Sequence, residues 1–436
     1  MYDKTPKPPD IILGETDFRD HHQRFGMYTP DRLRHVWVIG KTGSGKSTLL
    51  LNLIAQDLAA GRGVGVLDPH GDLARAVLEL VPKARTNDVA YVDPADKTHA
   101  LSFNVLRQGG ADTEDSLTAS GLIAVFKKHW ADVWGPRLEH VLRNAILAVV
   151  PDSRASLLFM YRFLTDERLR AKLAPRIEDP VVRQFWTVEF PGYRAALQAE
   201  ALSPVLNKLG AFVTNPFVRR IVAQEKSRLD IGALMDARGV LVANLSVGDI
   251  GEDASHLLGS LLVSAVQVAA MRRESGEPPF FLYIDEFQHF VTESLATMLS
   301  EARKFGVGLT LSHQYLAQLP PRLLDAVRGN VGSLVVMRLG ADDAALLERE
   351  VAPPFGTGDL VGLPFGRAVA KLTVRGSALP PFSAQMLPPV QAPPDAADRI
   401  DAILQQSRRR FTTPVTVVDS FVESAFGRLD TPDECR

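Results

Sequence analysis

Apolar residues in this chain fall into two rhythms. Short runs rich in β-branched and aromatic residues recur at HVWVIG (35–40), GVGVLD (63–68), VAYVD (89–93), GVLVANLS (239–246), FFLYIDEF (280–287), VGLTLSHQ (307–314), GSLVVMRL (332–339) and RAVAKLTV (367–374). Each has the length and composition of a buried strand. Between them apolar positions repeat every three or four residues: Leu49, Leu50, Leu53, Ile54 and Leu58 predict a helix over 47–60. Strands alternating with helices in this way build a mainly parallel sheet covered on both faces.

The texture changes over 111–230. There LEHVLRNAILAVV (138–150), SLLFMYRFL (156–164) and RQFWTVEF (183–190) keep only the helical period. The expected architecture is an α/β domain over 35–110 and 231–380, interrupted by an all-α insertion over 111–230. Residues 1–34 read as a polar lead-in with one short strand, Ile11–Gly14. A Pro-rich stretch (380–394) ends the core, so 381–436 is expected to hold a linker, a charged helix over 396–410 and a tail. The run Arg408–Arg409–Arg410 on that helix reads as a solvated face.

Composition narrows the class. At 46% hydrophobic and 23% charged the chain is ordinary globular protein, not a disordered or collagen-like one. Its 49 Lys and Arg against 51 Asp and Glu leave no global field for nucleic acid, so any basic surface is local. Cys435 is the only cysteine, which excludes an intramolecular disulfide and a thiolate metal cluster and suits a reducing compartment. The most apolar stretch, Leu257–Met271, is interrupted by Gly259, Ser260, Ser264 and Gln267 and reads as a core helix rather than a membrane span. The opening MYDKTPKPPD has no signal-peptide run, and the expected setting is soluble and cytoplasmic.

One segment carries strong chemistry. GKTGSGKS (40–47) fits the phosphate-loop pattern where that pattern has meaning, between a strand and a helix. Gly40, Lys41, Thr42, Gly43, Ser44 and Gly45 curl so that successive N–H groups face one anion, and the helix N-terminus adds partial positive charge. Lys46 is expected to reach the β- and γ-phosphates, Ser47 to hold Mg²⁺ and Thr48 to lie near the α-phosphate. The bland alternative is a glycine-rich turn without a ligand.

A second signal agrees with the first. FFLYIDEF puts Asp285 and Glu286 at the carboxyl end of a buried strand, the edge at which open α/β sheets bind ligands. Asp285 is the expected partner of Mg²⁺ and Glu286 the expected polariser of an attacking water. Adjacent acids also end strands as plain solvated turns. The only Asn-Lys, at Asn207–Lys208, runs into Leu-Gly, so the guanine-reading loop of GTPases is missing and ATP is the expected nucleotide.

Supporting polar positions follow. His313 and Gln314 close the next strand, where an amide can sense the γ-phosphate or the lytic water; an ordinary strand-end amide is the alternative. Arg303 and Lys304, in SEARKFG, sit between the acidic strand and the Gln314 strand, and an arginine there points to a neighbouring copy's γ-phosphate; a solvated helix end is the alternative. Arg338 is a weaker candidate for that task. Asp68-Pro69-His70-Gly71 either lines the site or makes a turn.

Assembled, these residues resemble the HerA/FtsK-type DNA-translocating ATPases, especially the TraG/TraD branch of type IV secretion coupling proteins. The likeness runs through RHVWVIGKTGSGKST, GVLDPHGD, SFNVL, WGPRLEHVLRNAIL, VANLSVGDIGED, YIDEFQHF, SEARKFGVGLTLSHQYLAQL and GNVGSLVVMRLG. It implies a RecA-like nucleotide-binding domain, ATP held at subunit interfaces of a hexameric ring, and DNA drawn through the channel. It further implies Lys46 and Ser47 on phosphate and Mg²⁺, Asp285 and Glu286 as the Walker B pair, Gln314 as γ-phosphate sensor and Arg303 as arginine finger. Such coupling proteins usually begin with transmembrane helices, and no transmembrane segment is read here. The function expected is therefore a DNA translocase or coupling ATPase of a conjugative or secretion system, recruited to the inner membrane by a relaxase or by secretion-system partners. A soluble HerA-like DNA-processing or defence motor, and a secretion ATPase acting on protein, stay open beside it. A non-hydrolysing assembly module and a small-molecule kinase are disfavoured by the intact acid pair and by the lack of a lid segment.

Overall fold

The computed structural model describes residues 8–17, 22–107, 115–130, 134–274, 276–290 and 293–427. The described residues form fifteen strands. In chain order they are β1 (Ile11–Thr16), β2 (Arg24–Met27), β3 (Val36–Ile39), β4 (Gly63–Asp68), β5 (Val89–Val92), β6 (His99–Leu101), β7 (Val240–Asn244) and β8 (Phe280–Ile284). Then come β9 (Val307–His313), β10 (Ser333–Val336), β11 (Arg367–Lys371), β12 (Thr373–Val374), β13 (Ser377–Ala378), β14 (Phe382–Met386) and β15 (Thr412–Pro414). Two compact units emerge. The first comprises the stretch ending at Tyr91, Leu234–Ser246 and Ala270–Leu404; the second comprises Val92–Ala233, Val247–Ala269 and the stretch from Gln405.

The first unit carries an eleven-stranded sheet in the order β2-β1-β14-β11-β10-β3-β9-β8-β4-β7-β5. Every pairing from β10 to β7 is parallel. These strands are buried on both faces, which is why they read as unbroken apolar runs rather than alternating ones. Helix Lys46–Ala59 and helix Asp72–Leu80 bring Leu50, Leu53, Ile54 and Val77 into one core with Val38, Val66 and Tyr283.

The sheet extends further at both ends than expected. β1 pairs antiparallel with β14, and β14 pairs antiparallel with β11. The 1–34 lead-in and the segment beyond 380 thus each give strands to the α/β sheet. Phe382–Met386 alternates in burial and is flanked by prolines. An antiparallel flank strand of that kind is defined by its partner, not by a run of its own.

A buried charge cluster fastens this core. The Arg32 guanidinium donates to both carboxylate oxygens of Asp57, at 2.7 and 2.6 Å, and to the Tyr283 hydroxyl at 2.9 Å. Tyr283 donates to Asp57 at 2.7 Å and Arg62 does so at 2.9 Å. Arg32 also lies 3.5 Å from the centre of the Phe281 ring. Asp57 belongs to the helix after the phosphate loop and Tyr283 to β8, so the cluster fixes one relative to the other. His35, at φ 67°, is a second buried anchor: the Leu309 N–H donates to its Nδ1, which leaves Nε2 to donate to the Leu299 carbonyl. Burial holds its pKa down at about 4.

Among the described residues, the second unit is helical apart from the β6–β15 pair. No strand occurs within 115–236 among the described residues. Trp186 packs edge-on to Phe163 and donates to the Asn144 carbonyl at 3.0 Å. Asn104, from SFNVL, donates to the carbonyls of Ala155 and Glu225 and accepts from the Leu106 N–H. In WGPRLEH, Pro136 starts a helix and the Trp134 indole folds back onto Glu139. The expected tail instead holds helix Val415–Gly427, whose Val418 and Val422 pack with Leu158 and Val213. Arg408 is likewise anchored, donating to Asp96 at 2.8 Å rather than projecting freely into water. Helix Glu252–Met271 is long and apolar enough to cross a membrane, at mean hydropathy 1.5, but 89% of that window is buried inside the protein.

Candidate active site

The polar chemistry of the first unit gathers at the carboxyl ends of β3, β9 and β8. Neighbouring strands lie about 4.8 Å apart, so β3 and β8, with β9 between them, stand about 10 Å apart. Groups leaving β3 and β8 face each other across a gap that the end of β9 fills.

On the β3 side, Gly40–Gly45 joins the strand to helix Lys46–Ala59. Gly45 caps that helix at φ 111°, a conformation that side chains with a Cβ resist. A Cβ on Gly40 would lie 2.7 Å from the Met337 side chain and 2.8 Å from Ser44 Oγ, so only glycine fits. The Lys46 ammonium donates to the carbonyls of Gly40 and Lys41, at 2.6 and 3.3 Å. Lys41, Thr42, Gly43 and Ser47 are exposed, Thr48 is half-buried and Ser44 is buried.

On the β8 side, Asp285 and Glu286 are both buried. Glu286 adopts φ 44°, ψ 51°, a left-handed conformation that costs a residue other than glycine about 1 kcal/mol or more. The turn swings its carboxylate towards β9. There the Gln314 side-chain amide donates to one Glu286 oxygen at 2.8 Å, and the Thr42 hydroxyl donates to the Gln314 side-chain Oε1 at 2.9 Å. The second Glu286 oxygen accepts from the Gln288 amide at 2.7 Å. A continuous line therefore runs from the phosphate loop through Gln314 to Glu286.

The charges are coupled across this gap. Burial and the neighbouring Glu286 charge raise the Asp285 pKa to about 6, with Asp68 adding to the rise and Ser312 and Lys46 opposing it. Burial lowers the Lys46 pKa, while Glu286 and Asp285 pull it back. Two buried acids beside one ammonium suit an added cation. No cluster of three His, Cys, Asp or Glu able to cage a metal occurs among the described residues. Asp285 with the Ser47 hydroxyl instead matches the sparse oxygen set of Mg²⁺, which takes its other ligands from phosphates and water.

Other expected residues land differently. His313 is core, not site: it is buried, stacks on Trp37 and accepts from the Trp37 indole at 2.8 Å. Asp68 accepts from the N–H groups of His70 and Ala74, which makes DPHG a helix-starting turn whose charge also reaches Asp285. Arg303 is exposed in the turn Ala302–Phe305 that precedes β9. The seven residues of β9 separate it from the loop edge, about 20 Å at 3.3 Å per residue. It does not join its own chain's cluster. Arg338, exposed at the end of β10, is on the loop edge, and its carbonyl accepts from the Lys41 N–H at 2.8 Å. Gln288 was not anticipated; an amide two residues beyond an acid pair on a tight turn is the signal that could have found it.

Comparison with known proteins agrees with this geometry. Residues 30–118 match the family model described as Helicase HerA, central domain. The type 4 coupling protein DotL of Legionella pneumophila is 23% identical over 376 residues, which is 71% of this chain and 47% of that protein. This chain thus spans about half the length of that relative. It is similar to the HerA/FtsK-type P-loop ATPases, on their coupling-protein side. The plasmid coupling protein TrwB in complex with ADP and Mg²⁺ shares the fold with a TM-score of 0.64 at 18% identity, over 84% of this chain and 88% of that one. VirB4 of Thermoanaerobacter pseudethanolicus does so with a TM-score of 0.61 at 14% identity, over 90% and 99%. The sheet and its helices have the RecA-like fold of these proteins.

Proposed function

We propose that the chain hydrolyses ATP with Mg²⁺ and uses the energy to move DNA, working as a hexameric ring in a type IV secretion-like or conjugative system. The observation that carries this reading is the line Thr42–Gln314–Glu286, which ties the phosphate loop to a buried carboxylate.

In this reading Gly40–Thr48 cradles the triphosphate, Lys46 pairs with its β- and γ-oxygens, and Ser47 and Asp285 hold the metal. Magnesium, when bound, neutralises charge on the phosphate oxygens. Glu286 orients the attacking water and takes its proton, and Gln314 senses the γ-phosphate. Arg303 is exposed and far from its own loop, so it serves a neighbour's site. The coupling-protein likeness supports DNA as substrate, a relaxase or secretion-system membrane partners, and a cytoplasmic location at the inner membrane as parts of this reading.

Turnover of the full chain, measured with and without single- and double-stranded DNA, tests this. DNA is expected to raise the rate in the wild type and to leave Lys46→Ala and Glu286→Gln silent. Turnover indifferent to both forms of DNA refutes the DNA substrate, and stimulation by a secreted protein would reassign the motor to protein.

A further inference from the structure

The described site accounts for the phosphates and leaves the other half of the nucleotide unassigned. The order β11-β10-β3-β9-β8 decides where that half goes. Asp285 and Glu286 lie on the β8 side of the loop, so the γ-phosphate points that way. In the nucleotide reading above, a γ-phosphate facing those acids leaves the nucleoside towards β10 and β11.

On that flank the loop before β11 touches the phosphate loop. The Gly366 N–H donates to the Ser44 carbonyl at 3.3 Å, and a Cβ on Gly45 would lie 3.7 Å from the Gly366 Cα. The Gly366 carbonyl is held in turn by the Met386 N–H at 2.8 Å and the Gln385 amide at 3.1 Å. Gly366 has φ 73°, which turns the chain sharply just after Phe365. Phe365, one residue from these anchors, is 63% exposed. A large aromatic side chain on a backbone pinned to the phosphate loop is a preformed platform, because its backbone is already ordered before any ligand arrives.

We propose that Phe365 is the stacking platform for the purine base of the nucleotide held by the phosphate loop. The inference rests on the nucleotide reading above. Stacking uses the π-face that every base has, so it favours a nucleotide over bare polyphosphate without separating adenine from guanine.

The test is calorimetric titration of the full chain, with Mg²⁺, using ADP and inorganic tripolyphosphate as probes. Base–aromatic stacking predicts that Phe365→Ala weakens ADP by about tenfold or more and leaves tripolyphosphate within about twofold. Phe365→Trp should bind ADP at least as tightly as the wild type. Unchanged tripolyphosphate binding also certifies that the variant is folded. The inference is overturned if Phe365→Ala keeps wild-type ADP affinity, if it loses both probes equally, or if it alters only the oligomeric state. A wild type that binds neither probe would instead overturn the phosphate-loop reading itself.

Discussion

Removing the Gln314 side chain isolates the step that links phosphate recognition to water activation. In Gln314→Ala, Glu286 loses the amide that donates to it at 2.8 Å and Thr42 loses its acceptor at 2.9 Å. A hydrogen bond to a charged group is worth about 1.5–3 kcal/mol. If it orients Glu286 in the transition state, turnover falls about ten- to hundredfold. The bonds from Lys46 to the Gly40 and Lys41 carbonyls are untouched and only the Thr42 hydroxyl loses a partner in the loop, so the KM for ATP should stay within about threefold. Steady-state phosphate release against ATP concentration separates the two parameters. Gln314→Ala in a Glu286→Gln background should cost little more than Glu286→Gln alone, because residues acting as one unit are not additive. Unchanged turnover, or a loss confined to ATP affinity, would refute the relay.

Three further outcomes follow from the same geometry. Arg303→Ala and Glu286→Gln chains should each be inactive alone, while a mixture should regain part of the turnover, because an intact Arg303 from one chain then meets an intact Glu286 on another; a silent mixture counts against action across subunits. Asp57→Ala should lower stability by about 3–5 kcal/mol in urea unfolding, since it strands a buried Arg32; a change under about 1 kcal/mol would show that the cluster does not hold the core. Acid should destabilise the fold through His35, whose folded pKa of about 4 lies below its ordinary value. The unfolded chain takes up that proton as pH falls through about 6.5 and the native chain only near 4, so stability is full above that window and lost within it, by up to about 3 kcal/mol. The urea midpoint should fall from pH 7.5 to pH 5, and His35→Gln should flatten the slope; an identical slope in the variant removes His35 as its cause.

Local pattern revealed the parallel heart of the fold because β3, β4, β8 and β9 are buried on both faces and so read as unbroken apolar runs. It missed β14 and the membership of β1, which exist by antiparallel pairing between residues hundreds of positions apart. In the candidate site, Gly40–Ser47, Asp285, Glu286 and Gln314 stand out in the sequence because phosphate cradling and water activation would demand those residue types at strand ends, and the structure brings Thr42, Gln314 and Glu286 together. His313 was open at that level; only its packing on Trp37 makes it core. Gln288 and Phe365 were invisible, the first because its partner is set by the left-handed turn at Glu286, the second because exposure beside the phosphate loop is a property of the fold. Arg303 was legible as a candidate, and its place before β9 is what directs it away from its own loop.

In the proposed mechanism one triphosphate is shared by Lys46 and Glu286 across the end of β9. Paired measurement of Mg–ATP binding and single-turnover cleavage in the wild type, Lys46→Ala and Glu286→Gln tests it most directly. Glu286→Gln should bind ATP as tightly as the wild type and leave it uncleaved, and Lys46→Ala should fail to bind. Cleavage by Glu286→Gln at the wild-type rate, or undiminished binding by Lys46→Ala, would contradict the account.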